Sequence, residues 1–130
     1  MDDKSTLYSL IEAAMAQTEE FSVEESMRWL ESDDTVFVDV RESHERNEQG
    51  CIIGSIHISR GFLEFSIDPE GPKHHPVFQR TGLRFVFYCA AGPRSALAAK
   101  TAQHMGLNRA GYIKGGLAEW IKVGAPVDKI

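Results

Sequence analysis

The stretch LRFVFYCAAGPRSALAAK, residues 83–100, joins an apolar run to a helix-like run through a short loop. Its first six residues are mostly aromatic or aliphatic, which is typical of a strand buried on both faces. The residues from Arg94 onward have helical periodicity, and Gly106 follows as a residue that ends helices. We therefore predict a strand that ends just before Cys89 and a helix that begins near Pro93.

The same alternation continues along the chain. A capping box, SVEE, opens a second helix at Ser22, and TVFVDV is a second short apolar strand. Strands are predicted at residues 35–40, 52–58, 83–88 and 110–113, and helices at residues 7–15, 22–30, 61–67, 94–105 and 117–123. The charged segment 41–49 is either a loop or a short helix. This order predicts a single α/β domain whose central parallel sheet is flanked by helices on both faces.

Composition limits the classes of function. The chain has 130 residues and a net charge of −5, and this acidity argues against a broad nucleic-acid surface. No apolar stretch reaches the roughly 18 residues of a membrane helix, and the acidic start lacks the features of a secretory signal. Two cysteines are too few for a disulfide framework. We therefore expect a cytoplasmic protein that binds neither membrane nor nucleic acid.

The loop after the predicted strand has residue types that can stabilise a thiolate, which is the nucleophilic form of cysteine. Its backbone N–H groups can converge on one point, and the helix dipole adds positive charge there. Gly92 permits the backbone conformation that such a cradle needs, and Arg94 can fork onto an oxyanion. We predict Cys89 and Arg94 as catalytic residues and, as substrate-binding residues, Ala90, Ala91, Gly92, Pro93 and Ser95.

Two details of this loop can be checked directly. Ala90 and Ala91 are small, and we expect them to leave the sulfur uncovered. Ser95 offers its hydroxyl either to the thiolate or to the start of the helix. A buried structural cysteine is the alternative interpretation, but glycine, proline and arginine in this order between a strand and a helix favour a reactive one.

Side chains elsewhere are open to two interpretations. Asp39 and Arg41 follow a predicted strand on one face, so they either support the loop through hydrogen bonds or form a structural ion pair. His74 and His75 are adjacent, and neighbouring residues on a loop point apart. No cysteine or carboxylate recurs at ligand spacing, so we predict a solvated loop there and no metal site.

Four segments of the chain resemble, in the right order, the motifs of the rhodanese-like domain family. They are VDVRE (38–42), GCIIGSIHI (50–58), CAAGPRS (89–95) and GGLAEW (115–120). The resemblance covers about residues 20–127, the rhodanese-like domain, and leaves residues 1–19 as an N-terminal helical extension. Four motifs in order are far more specific than a single short pattern.

The resemblance implies a thiosulfate sulfurtransferase-type enzyme. Such an enzyme moves a sulfane sulfur from a donor such as thiosulfate to cyanide or a thiol through a Cys89 persulfide, without a metal or organic cofactor. Its partners would be a small sulfur-containing anion and a thiol acceptor. Two positions depart from the family: Ala90 stands where some thiosulfate-active members have a basic residue, and Cys51 stands where histidine is frequent. Cys51 is either a packing residue or a resolving thiol.

Two other functions stay open. A sulfur relay or protein-binding regulatory module would use the same fold with little thiosulfate activity, and a donor or acceptor protein would then be the partner. A cysteine phosphatase would share the cradle and arginine, but its loop is C-x5-R, whereas Cys89 and Arg94 form C-x4-R. The tighter ring favours a sulfur atom over a tetrahedral phosphate.

Overall fold

Strands alternate with helices throughout residues 5–129, which are the residues that the computed structural model describes. The strands are β1 (Glu19–Phe21), β2 (Thr35–Asp39), β3 (Cys51–Ile52), β4 (Ile56–His57), β5 (Arg84–Tyr88), β6 (Ala110–Ile113) and β7 (Val127–Asp128). The helices are α1 (Leu7–Gln17), α2 (Val23–Met27), α3 (Ser43–Gln49), α4 (Leu63–Ile67), α5 (Pro93–His104) and α6 (Gly116–Lys122), with 3-10 turns at Arg60–Phe62 and Pro76–Gln79.

Five strands form one parallel sheet in the order β1-β6-β5-β2-β4, and this confirms the predicted α/β architecture. Strand β5 lies at the centre, between β6 and β2. The carboxyl ends of parallel strands meet at one edge of the sheet, where ligands of such folds bind. The loop that begins at Cys89 leaves the central strand at this edge.

Side chains of β5 alternate between two hydrophobic clusters, one on each face of the sheet. Phe85 and Phe87 belong to the cluster covered by α1, α4 and α5, whereas Val86 and Tyr88 belong to the cluster covered by α2 and α6. Successive residues of a strand point to opposite faces, so a strand buried on both faces is apolar at every position. Helices therefore flank the sheet on both faces, as predicted.

Local signals account for the ends of the best-predicted helices. Ser22 and Glu25 form the capping box of α2, each side chain bonding the other residue's backbone N–H at 3.0 Å. Pro93 occupies the first turn of α5, and Gly106 follows its end with φ +103°. Helix α1 forms as predicted and packs against α5, with Ala14 fully buried. The domain boundary at residue 19 stays a prediction.

The segment between β2 and β4 differs most from expectation. The charged segment after β2, predicted as a loop or a short helix, forms the helix α3. The strand predicted at residues 52–58 shortens to β4, because Gly54, with φ +78°, interrupts it. Residues before the interruption form β3, which pairs antiparallel with β7 in a separate two-stranded sheet. Two-residue strands are too short for any periodicity to be recognised.

No helix formed by residues 5–129 has both the length and the apolar character needed to cross a membrane.

Candidate active site

The loop after β5 curls its backbone around the sulfur of Cys89. The N–H of Gly92 donates to Sγ at 3.1 Å, and the N–H of Ser95 donates to it at 3.4 Å. Gly92 adopts φ +119°, a conformation that disfavours any residue with a Cβ. The Ser95 hydroxyl donates to the Gly92 carbonyl at 2.9 Å, and so serves the start of α5, while the thiol donates to Ser95 Oγ at 3.5 Å. The sulfur thus lies at the positive end of α5.

Helix α6 fixes the orientation of the peptides that follow Cys89. The N–H of Leu117 donates to the Cys89 carbonyl at 2.8 Å, and the N–H of Ala118 donates to the Ala90 carbonyl at 3.0 Å. In a trans peptide the N–H points opposite to the C=O. Because both carbonyls turn toward α6, the next two N–H groups point away from that helix. The start of α6 therefore helps to aim the amides of the loop.

Gly116 makes this close approach feasible. A Cβ built at Gly116 would lie 2.5 Å from the Cys89 carbonyl oxygen and 2.8 Å from the Ala90 carbonyl carbon, and its φ is +61°. No other residue type fits both the space and the conformation. The second glycine of the GGLAEW motif is therefore a requirement of the cradle.

The expectation that Ala90 and Ala91 leave the sulfur uncovered is wrong. Cys89 is only 1% exposed and packs in the α5-side cluster. The two N–H groups and the Ser95 hydroxyl, all within 3.5 Å of Sγ, occupy the space around the sulfur. Curling amides onto an atom necessarily covers it, whatever the size of the neighbouring side chains.

Arg94 is paired with a glutamate that the sequence did not single out. Its two terminal nitrogens donate to the two carboxylate oxygens of Glu45, each at 2.8 Å. Such a fork-to-fork pair is strong and geometrically specific. It ties the active loop to α3, whose first turn contains Glu45. Arg94 stays partly open to solvent, with 39% of its side chain exposed.

The pair keeps both groups charged. The hydrogen bonds from Arg94 lower the pKa of Glu45 to about 2, although burial opposes this shift. The same hydrogen bonds raise the pKa of Arg94 above its already high value. A permanent negative charge therefore lies beside the loop, next to a permanent positive one.

Asp39 and Arg41 form a fully buried ion pair. Arg41 Nη2 donates to Asp39 Oδ2 at 2.8 Å and Arg41 Nε donates to Oδ1 at 3.0 Å, and both side chains are 0% exposed. Arg46 adds a further bond to Asp39 at 2.9 Å. Burial alone would raise the pKa of Asp39, but the hydrogen bonds and charge of Arg41 outweigh it and lower the pKa overall.

This ion pair reaches the active loop only indirectly. Arg41 donates to the Gln49 side chain at 3.2 Å and to the Glu45 carbonyl at 3.5 Å, and so secures α3. Among residues 5–129 no hydrogen bond joins either member of the pair to residues 89–95. Any support of the loop by Asp39 and Arg41 therefore passes through other residues, Glu45 of α3 or Tyr88 of β5, and that role stays a prediction.

Tyr88 connects the ion pair to the strand that carries the sulfur. Its hydroxyl donates to Asp39 at 3.1 Å, accepts from the Ile52 N–H at 3.0 Å and lies 2.8 Å from Ser55 Oγ. Burial, followed by the charge of Asp39, raises the pKa of Tyr88. The hydroxyl thus stays neutral and holds β3 against β5.

The remaining candidates lie apart from the cradle. The loop of His74 and His75 is not simply solvated, because both ring nitrogens of His74 are buried without a hydrogen-bond partner. The loop also bonds α4, since the His75 N–H donates to the Ser66 carbonyl at 2.9 Å, a contact that the sequence cannot reveal. Cys51 is a free, buried thiol in β3, and its role as a packing residue or a resolving thiol stays a prediction. No group of three or more potential ligands in the described residues could hold a metal ion.

Sequence reasoning missed Glu45, and one signal could have found it. Glu42 and Glu45 are spaced as a capping box, and Glu45 Oε2 accepts from the Glu42 N–H at 2.9 Å. That spacing predicts the start of α3. It does not predict Arg94 as a partner, because the two residues are 49 positions apart.

Comparison with known proteins agrees with this geometry. The model of the rhodanese-like domain matches residues 22–123. A mouse protein named thiosulfate sulfurtransferase/rhodanese-like domain-containing protein 3 is 38% identical over 96 residues, which are 71% of this chain and 61% of that protein. The chain thus spans about three fifths of the length of this relative.

Two solved structures extend the comparison. A Rhodopseudomonas palustris protein of unknown function, described as a possible tyrosine phosphatase, is 39% identical, with a TM-score of 0.92 and 98% of each chain covered. The polysulfide-sulfur transferase homodimer of Wolinella succinogenes is 28% identical, with a TM-score of 0.69, and covers 92% of this chain and 85% of its own. The chain belongs to the rhodanese-like domain family.

Proposed function

We propose that the protein is a sulfurtransferase that carries a sulfane sulfur on Cys89. The observation that carries this proposal is the cradle: two backbone N–H groups donate to one sulfur at the start of α5. Hydrogen-bond donors and a helix dipole aimed at one atom stabilise negative charge there. Both the thiolate and the persulfide anion need such stabilisation.

The proposed cycle has two displacements. With thiosulfate as donor, the Cys89 thiolate attacks the outer sulfur, a new S–S bond forms, and the old S–S bond breaks with its electron pair on sulfite. The Cys89 persulfide then gives its outer sulfur to an acceptor thiolate, and the electron pair of the broken bond returns to the Cys89 sulfur. No electron acceptor or metal is needed for either step.

Persulfide formation also places the transferable sulfur outside the buried position of Cys89 Sγ. An S–S bond is about 2 Å long, so the outer sulfur lies that far from the covered Sγ. The N–H groups of the loop that do not bond Sγ, including those of Ala90 and Ala91, are candidates to bind it. The buried resting sulfur favours small donors over large ones.

Glu45 argues against thiosulfate as a preferred donor. A thiosulfate dianion would have to bind beside a permanent carboxylate and compete with it for the guanidinium of Arg94. The absence of a basic residue at Ala90 acts in the same direction. We therefore propose that a donor with less negative charge, such as a small organic persulfide, is used more efficiently.

Intact-protein mass spectrometry tests the proposal. Wild-type protein incubated with thiosulfate or polysulfide should gain one sulfur atom that cyanide or a thiol removes. The Cys89→Ser variant should gain none, although it retains Cys51. Addition that persists in Cys89→Ser, or no addition from any donor in the wild type, would exclude Cys89 as the carrier.

A protein-fed relay remains the alternative within the same chemistry. It would require a partner protein to reach a residue that is 1% exposed. Loading of Cys89 by a persulfidated protein, but by no small donor, would favour it. Retention of partner binding by Cys89→Ser, without any sulfur transfer, would instead favour a regulatory binding module.

The relative described as a possible tyrosine phosphatase makes phosphatase activity worth a direct test. Four residues separate Cys89 from Arg94, one fewer than in the C-x5-R loop, and Arg94 is already engaged by Glu45. We expect no turnover of p-nitrophenyl phosphate above that of Cys89→Ser. Cys89-dependent turnover without persulfide formation would replace the sulfurtransferase proposal.

A further inference from the structure

A cavity of about 420 Å³ lies beside the 3-10 turn that follows β4, and the proposed transfer does not yet use it. Phe62 contributes an apolar wall. The polar lining consists of His57, Ser59, Ser66, Lys73, His74 and His75. Three of the five histidines of the chain and one lysine thus line one cavity, and none of its lining residues is acidic.

His74 lacks the partners that a buried imidazole needs. Both of its ring nitrogens are shielded from solvent and neither makes a hydrogen bond within the protein. Buried polar atoms are nearly always bonded, because losing water without a replacement is costly. A molecule that fills the cavity can bond this ring only if the ring turns toward it, since both nitrogens lie beneath the present lining.

The bonds of the other two histidines fix which of their nitrogens carries a proton. His75 Nδ1 accepts from the Val77 N–H at 3.2 Å, which leaves Nε2 to carry the ring hydrogen. His57 Nε2 lies 2.7 Å from the Arg41 carbonyl, which can only accept, so this nitrogen donates. Both rings are therefore held in place by the backbone, and the cavity does not depend on flexible side chains alone.

The chemistry of the lining favours an anion over a cation. Lys73 is a cation with three N–H donors, and His75 adds a ring N–H donor. The Glu42 carboxylate, which Ser59 contacts at 3.4 Å, does not line the cavity. The histidines are not arranged as metal ligands in the described part of the chain.

The size of the cavity favours an organic anion. Pockets for small organic ligands have volumes of roughly 300–1,000 Å³, and this cavity, which opens broadly to solvent, lies within that range. Phe62 offers a surface for a carbon chain, and the cationic lining offers a site for a carboxylate at the end of that chain.

The cavity lies at the same sheet edge as the cradle. His57, the last residue of β4, pairs in register with Asp39, which pairs with Tyr88, the residue before Cys89. Two strand spacings separate β4 from β5, about 10 Å. A carbon chain of moderate length spans that distance.

We propose that this cavity binds the carboxylate of an organic thiol that accepts the sulfur from Cys89. The inference rests on the proposed function and adds the class of acceptor. The acceptor thiolate attacks the outer sulfur of the Cys89 persulfide and forms a new S–S bond. The Cys89 S–S bond breaks, its electron pair stays on the Cys89 sulfur, and the acceptor leaves as a persulfide anion.

Two acceptors that differ only in their end group give the kinetic test. Mercaptohexanoate and mercaptohexanol have the same chain and closely similar thiols, but only the first ends in a carboxylate. The persulfidated wild type should be discharged about tenfold faster by the acid, as expected for hydrogen bonds to a charged group. Equal rates would overturn the proposal.

Two variants locate the effect, and a third serves as the control. Lys73→Gln removes an exposed charge without disturbing the core, and His74→Phe keeps the ring volume but removes both nitrogens. Each should reduce the preference for the acid to within about twofold. Lys122→Gln, which removes an exposed charge on α6, should retain it. A preference unchanged in both Lys73→Gln and His74→Phe would also overturn the proposal.

A binding experiment without any thiol separates this inference from the proposed function. Hexanoate is titrated into Cys89→Ser while the ring signals of all five histidines are followed by NMR. The signals of His57, His74 and His75 should shift saturably, and those of His44 and His104, outside the cavity, should not. If the shifts are saturable but the persulfide experiment fails, the proposed function is excluded and the anion site stands. Absent or uniform shifts would exclude the anion site.

Discussion

Glu45 determines the charge beside the reactive sulfur as much as any residue of the loop itself. It holds both terminal nitrogens of Arg94 at 2.8 Å and keeps a negative charge where an anionic donor would bind. The arginine is therefore positioned by the protein before any substrate arrives. Arg94 therefore contributes a fixed positive charge beside Cys89, and its guanidinium is not free to bind a sulfonate.

Glu45→Gln should make thiosulfate a better donor. Removing the carboxylate charge eliminates repulsion of the dianion and releases Arg94, so we expect KM for thiosulfate to fall about threefold. Steady-state kinetics with cyanide as acceptor measures this change. Glu48→Gln removes a charge from the exposed side of the same helix and should leave KM unchanged. A rise in KM for Glu45→Gln would mean that the ion pair itself orients the donor site.

The same pair should stabilise the fold in a defined pH range. The pKa of Glu45 is lowered from 4.5 to about 2, so its contribution is complete above pH 4.5 and is lost as the pH falls toward 2. We expect the free energy of unfolding of wild type to exceed that of Glu45→Gln by about 1 kcal/mol at pH 7. The difference is small because Arg94 is partly exposed. Urea unfolding at pH 7, 5 and 3 should show this difference shrinking only below pH 5.

The Asp39–Arg41 pair has a larger structural role because neither partner reaches solvent. Asp39→Ala leaves the Arg41 guanidinium buried without its counter-charge and should cost about 3–5 kcal/mol of the free energy of unfolding. Urea unfolding measures the loss. Asp33→Ala, an exposed acidic residue just before the same strand, should change stability by less than about 0.5 kcal/mol. A small loss for Asp39→Ala would show that water reaches the pair.

At the scale of elements, the cradle is a joint product of β5, α5 and α6. Strand β5 delivers Cys89 to the sheet edge, α5 contributes its first N–H groups, and α6 binds the carbonyls that must face away from the sulfur. The GGLAEW segment therefore belongs to the site although none of its side chains needs to touch substrate.

Gly116→Ala tests this dependence on α6. The new methyl group would meet the backbone of residues 89 and 90 at under 3 Å, so the loop must shift and persulfide formation should fall at least tenfold. Mass spectrometry of the timed reaction measures it, with circular dichroism to verify folding. Gly124→Ala is the matched control, because Gly124 also has positive φ, +82°, but open space around it. The Gly124→Ala variant should lose about 1 kcal/mol of its free energy of unfolding and should form the persulfide as fast as wild type.

The sequence predicted those parts of the fold and site that depend on local patterns. Strands β2 and β5 are continuous apolar runs, and α2 and α5 have clear start and stop signals, so their positions were correct within two residues or so, apart from the end of α2. The Cys89 loop could be recognised because glycine, proline and arginine have distinct backbone or charge properties within seven residues.

What depended on long-range packing could not be predicted. The Glu45–Arg94 pair joins residues 49 positions apart, and the burial of Cys89 follows from how the loop closes. The β3–β7 sheet has too few residues to show alternation. The covered nitrogens of His74 depend on how its loop packs, and three polar residues between prolines indicate only a loop.

At the scale of the whole molecule, α1 covers one side of α5 and lies outside the four family motifs. Ala14 is fully buried in the same cluster as Ala98, Ala99 and Ala102. These small side chains allow the two helices to approach closely. The helix thus adds to the core without contributing to the cradle.

Ala14→Asp should separate stability from activity. A carboxylate has no partner at this buried site, so α1 should detach and the free energy of unfolding should fall by at least about 2 kcal/mol. Sulfur loading of Cys89 by the folded variant should match wild type. Ala16→Asp, on the exposed side of α1, is the control and should change neither. Loss of loading in folded Ala14→Asp would place the extension within the catalytic domain.

The two outer strands of the sheet are very short, with three residues in β1 and two in β4. The unpaired backbone N–H and C=O groups of an edge strand can pair with another chain. Short edge strands with charged side chains suppress such pairing. Glu19 and Glu20 supply that charge on β1. Concentrated solutions should therefore resist fibril growth, and self-association through these two strand edges is disfavoured.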